Sequence, residues 1–88
     1  MRKPEIAVVV GVGPGLGSAL TRRLAHAGMH VAAASRDSAK LSSLARELSS
    51  QSVKVRTYDC DATNEDSVKK LFSSVAADLG KPSLVVYN

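Results

Sequence analysis

Eighty-eight residues, 44% hydrophobic and 23% charged, suit one small domain with a packed core; they exclude a second domain and a chain disordered throughout. The net charge of +4 is scattered along the chain, and three aromatic residues are too few for a base-stacking surface, so nucleic acid is excluded and small anions are the expected partners. The single cysteine, Cys60, permits no intrachain disulfide, and no apolar run reaches transmembrane length, so a cytoplasmic setting away from membranes is expected.

Arg2-Lys3 followed by apolar residues imitates a secretory signal, but Glu5, the glycines, Pro14 and Arg22-Arg23 argue against one. The unbroken apolar run from Ile6 to Val10 predicts a strand over 5–10, buried on both faces of a parallel sheet. Glycines then occupy positions 11, 13, 15 and 17. Leu16, Ala19, Leu20, Leu24 and Ala27 recur at helical spacing, with Arg22 and Arg23 on the other side and Gly28 as a C-terminal cap. "HVAAAS" from His30 to Ser35 is a second buried strand, and Leu41, Leu44, Ala45 and Leu48 mark a helix over 38–49.

Val53 to Tyr58 alternates as an edge strand does. Thr63 is expected to cap a third helix whose first turn carries Glu65 and Asp66; Val68, Leu71, Phe72, Val75, Ala76 and Leu79 form its apolar face, and Gly80 and Pro82 end it. "SLVVY" is the fourth strand. The order β-α-β-α-β-α-β with right-handed crossovers is an α/β fold, a Rossmann-type open parallel sheet and part of a doubly wound domain, over residues 1–88.

A glycine-rich turn between the first strand and first helix of such a unit brings backbone N–H groups and a helix N-terminus up to a phosphate. On that basis Gly11 makes the tight turn, Gly15 admits a pyrophosphate to the backbone, Gly17 lets the helix pack close to the strand, and Gly13 adds freedom to the loop. The alternative is a tight turn with no ligand. An acid ending the second strand would take the ribose hydroxyls of NAD, whereas "SRD" places Ser35 and Arg36 there, suited to the 2′-phosphate of NADP. Asp37 either bonds a ribose or caps the next helix, and Arg36 is otherwise a solvated surface charge.

Taken together, these residues resemble the N-terminal half of the short-chain dehydrogenase/reductase family. Gly11, Gly15 and Gly17 match its G-x-x-x-G-x-G turn, "SRD" its NADP-preferring strand end, "CDAT" its Asp-Val-Thr/Ser element, and "LVVYN" its Leu-Val-Asn-Asn-Ala-Gly strand. The resemblance implies that the backbone at Gly11, Gly13, Gly15, Leu16 and Gly17 holds the pyrophosphate of NADP(H), with NAD the lesser candidate. It further implies that Asp61 bonds the adenine amino group, Ala62 lines the adenine pocket and Asn88 lies beside the ribose. Two positions depart from the family: Val10 replaces a frequent threonine, and Tyr87 replaces the first asparagine.

The family's catalytic Tyr-x-x-x-Lys pair is absent: Ala62 follows Tyr58 by four positions, and Tyr87 is one residue from Asn88. No catalytic residue and no metal ligand is therefore expected within these residues, His26 and His30 included. The expectation is a longer native protein, a homo-oligomer in this family, acting on a small carbonyl or alcohol substrate, in which later strands cover the edge of Leu84, Val85 and Val86. A catalytically silent nucleotide-binding or subunit-pairing module is the alternative. An S-adenosylmethionine methyltransferase fits less well, because Val9 and Ser35 stand where that family has acids.

Overall fold

The computed structural model describes residues 4–12, 15–50 and 52–88. Its elements run β1 (Ile6–Val10), α1 (Leu16–His26), β2 (His30–Ser35), a 3-10 turn (Ser38–Leu41) leading into α2 (Ser42–Leu48), β3 (Val55–Asp59), α3 (Glu65–Asp78) and β4 (Leu84–Tyr87). The four strands form one parallel sheet in the order β3-β2-β1-β4. The chain therefore winds outward from β1 to β3 and crosses back to lay β4 on the other side of β1.

The central strands are buried on both faces, as continuous apolar runs require. Val9, Val31 and Ala33 face α1 and α2 in a cluster with Ala25, Leu44 and Leu48. Val8, Val10, Ala32 and Ala34 face the opposite way, against Leu71 and Val75 of α3. An ion pair between Arg22 and Glu47 ties α1 to α2 across the first layer.

Several boundaries differ from those the sequence suggests, each for a hydrogen-bonding reason. The edge strand β3 starts at Val55, because Val53 N–H donates to Ser50 Oγ and Lys54 N–H to His30 Nδ1. The cap of α3 is Asn64 rather than Thr63: its side chain accepts from Ser67 N at 3.0 Å, while Thr63 donates to Asp61. In α1 the buried stripe is Gly17, Thr21 and Ala25, and both Leu16 and Ala19 are exposed. Thr21 belongs inside because its hydroxyl donates to Gly17 O at 2.9 Å, one turn back. Ala76 of α3 is likewise exposed.

His30 opens β2 with its ring already engaged as an acceptor for Lys54 N–H at 2.8 Å. Burial, and then the Lys54 charge, hold its pKa below 6.5. The unfolded chain therefore binds this proton more readily than the folded one, so the contribution is complete above pH 6.5 and is lost as pH falls below it. The loss stays below about 1 kcal/mol, since solvent screens a partly exposed ring. Thermal unfolding as a function of pH checks this, with His30→Gln flattening the dependence below pH 6.5.

Candidate functional site

At the C-terminal end of β1 the chain leaves the sheet abruptly. Gly11 N–H and Val12 N–H both donate to Ala34 O, each at 2.9 Å, which swings the backbone over β2. This bend puts Gly11 at φ +89°, where a Cβ would stand 2.9 Å from Asn88 O. Gly17 is confined differently: a Cβ there would lie 3.0 Å from Val12 Cα and 3.0 Å from Asn88 Nδ2, so the close passage of α1 over the turn needs a residue without a side chain. Gly13 lies outside the described residues.

Gly15 contrasts with both. It takes φ +96° as the N-terminal boundary of α1, yet among the described residues, its chain neighbours aside, no atom lies within 4 Å of where its Cβ would be. The backbone there faces open space. Leu16 follows with 74% of its surface exposed, an unusual position for leucine at the start of a helix. The first turn of α1 has no side-chain cap and no acidic residue, whereas α3 has Asn64, Glu65 and Asp66. The positive end of the α1 dipole is thus uncompensated by its own sequence and suited to an external anion.

Asn88, just beyond β4, closes the turn from the other side. Its N–H donates to Val10 O at 2.9 Å and its Nδ2 to Gly11 O at 3.2 Å. The parallel pairing of Val10 with Tyr87 sets it there, at the gap between β1 and β4 where the winding direction reverses. Such a reversal is where open α/β sheets bind ligands.

The ends of β2 and β3 form the second part of the site. Ser35 Oγ accepts from Asp37 N–H at 3.2 Å, which leaves its own proton to donate. Arg36 is exposed, with Nη2 3.6 Å from Asp61 Oδ1. That same oxygen accepts from Thr63 Oγ1 at 2.6 Å and Thr63 N at 2.9 Å. The Thr63 bonds, and more weakly Arg36, keep the Asp61 carboxyl below its ordinary pKa. Ala62 is exposed beside it. Asp59 accepts from Ser38 N–H at 2.9 Å and is lowered in pKa chiefly by that bond; it caps the turn before α2 from across the sheet.

Two clefts open on these groups. One, of about 580 Å³, runs from Val12 and Ser18 to Ser35, Arg36 and Lys40, floored by Leu41 and Leu44. The other, of about 680 Å³, follows Arg36, Asp59 and Asp61 to Ser67 and Lys70. The structure therefore gathers the glycine turn with Asn88, and Ser35 with Arg36 and Asp61, all at the C-terminal ends of the strands. Lys40 and Asp59 were not marked by any motif. Tyr58 is no candidate acid: burial, and then its hydrogen bond to Asp78, push its pKa up to about 12.

Residues 5–88 match the model of the short chain dehydrogenase family. The chain is 37% identical over 82 residues to a glycine betaine reductase of Emericella nidulans, covering 93% of this chain and 6% of that protein. It is also 37% identical over 82 residues to an uncharacterized oxidoreductase of Staphylococcus aureus, covering 93% of this chain and 35% of the relative. Among solved structures, an alcohol dehydrogenase from the archaeon Thermococcus sibiricus, complexed with 5-hydroxy-NADP, superposes with a TM-score of 0.84 at 29% identity. That match covers 92% of this chain and 35% of the other, so the chain spans about a third of the length of that dehydrogenase.

Proposed function

The chain belongs to the short-chain dehydrogenase family, and on that premise we propose that it is the NADP(H)-holding part of an oxidoreductase acting on a small carbonyl or alcohol substrate. The observation that carries this is the open backbone at Gly15, at the head of a helix with neither cap nor acid in its first turn. There the N–H groups of Gly15, Leu16 and Gly17 would hold a pyrophosphate, while Gly11, its own N–H engaged by Ala34 O, shapes the turn. Ser35 donates to a 2′-phosphate and Arg36 pairs with it; Asp61 and Ala62 take the adenine, and Asn88 borders the ribose. The bound dinucleotide supplies or accepts the hydride.

This chain's own part is to bind and orient. No tyrosine in it is followed four positions later by lysine, so the acid/base on the substrate comes from elsewhere in the longer protein, which is cytoplasmic and oligomeric on this proposal. The preference for NADP over NAD rests on Arg36, together with the absence of an acid at position 35.

Titration of the native protein with NADPH and with NADH, followed by nicotinamide fluorescence, tests the proposal. NADPH is expected to bind at least about tenfold more tightly, the worth of one charge-assisted contact. Equal affinities would remove the assignment of Ser35 and Arg36, and binding of neither would remove the nucleotide site.

A further inference from the structure

We infer that Lys40 is a second cation of the 2′-phosphate subsite that adds to the selectivity carried by Arg36, an inference that rests on the nucleotide site proposed above. Ser35, Arg36 and Lys40 line one cleft of about 580 Å³, whose apolar floor is Leu41 and Leu44. Lys40 is fixed at its base. It sits in the 3-10 turn before α2, its N–H donates to Asp37 O at 3.3 Å, and the next residue, Leu41, is 5% exposed in the core. The side chain therefore leaves a rigid backbone beside the cleft.

The two cations are not equivalent. Arg36 is partly neutralised by Asp61 at 3.6 Å, and that carboxylate is pinned by its two bonds from Thr63. Among the described residues the ion pairs engage Arg22, Arg36, Arg56 and Lys69, and none engages Lys40. Asp37 also lines the cleft, but no carboxylate of the described residues pairs with the Lys40 ammonium. A phosphate monoester carries a charge of about −1.5 to −2 at neutral pH. A guanidinium already shared with Asp61 leaves most of that charge unmet, and Lys40 supplies the remainder. An ammonium is a point charge with rotatable donors, so it follows the phosphate without demanding one orientation. A ribose with a free 2′-hydroxyl gains nothing comparable from it.

Calorimetric titration of the native protein with adenosine 2′,5′-bisphosphate and with adenosine 5′-monophosphate separates the possibilities. The unmodified protein should favour the bisphosphate. Lys40→Gln should weaken the bisphosphate about tenfold, leave the monophosphate within about twofold, and reduce the salt dependence; Lys40→Arg should restore both. A Lys40→Gln variant that binds both ligands as the parent does, or that loses both equally, would overturn the inference while the nucleotide site stands. A parent protein that binds neither ligand would instead overturn the site itself.

Discussion

Alanine in place of Gly11 should lower the unfolding free energy by about 3 kcal/mol, combining backbone strain with a steric overlap. The strain arises because φ is +89°, and the overlap because the new Cβ would stand 2.9 Å from the carbonyl of Asn88. Neither partner can yield cheaply: Gly11 is held by Ala34 O, and Asn88 by Val10 O. Gly28 provides the control, with φ +94° and nothing within 4 Å of its missing side chain. Gly28→Ala should therefore show the strain alone, about 1 kcal/mol. In thermal unfolding followed by circular dichroism the difference corresponds to about 10 °C for a domain of this size. Equal losses in the two variants would show that crowding by Asn88 is not what demands glycine at position 11.

Gly15→Ala should do the reverse. Its φ of +96° and its empty surroundings match those of Gly28, so the two alanine variants should lose similar stability. Affinity for NADPH should nevertheless fall about a hundredfold in Gly15→Ala and stay near the parent value in Gly28→Ala, because only the first methyl group occupies the space a phosphate would use. Fluorescence titration of both proteins decides this. Unchanged affinity in Gly15→Ala would mean that no phosphate approaches there.

What could be read from the sequence was the part governed by pattern. Continuous burial of β1 and β2, the stripe of Leu41, Leu44 and Leu48, and the exposed edge of β4 follow from which residues are apolar and at what spacing. Separate parts for Gly11, Gly15 and Gly17 follow from their order in the turn, but the crowding of Gly11 and Gly17 by Asn88 does not. Individual side-chain contacts and orientations were not legible. Thr21 is polar and looks like a surface residue until its hydroxyl finds Gly17 O. Asp59 resembles any strand-end acid, yet it caps a turn 21 residues away in the chain. Leu16 fits an apolar stripe by spacing, but the bend at Gly15 starts the helix with that side chain turned out. Lys40 belongs to no motif, and only the packing of Leu41 brings it to the cleft beside Arg36.

The pairing of β4 with β1 carries a thermodynamic consequence. Asn88 and Gly11 meet across 77 residues, whereas β1 and β2 are joined through a single helix and loop. Loop-closure entropy makes that distant pairing costlier than the pairing of β1 with β2, by about 1 kcal/mol. Yet this distant strand shapes the glycine turn through Asn88. A ligand that recognises the finished turn binds only molecules in which β4 has docked, and at a hundredfold excess over its dissociation constant it adds about 2.7 kcal/mol to that docking. On the proposed function, nucleotide concentration would then act as a clamp on β4, and protection of the β4 amides from exchange would gauge how fully the turn is occupied.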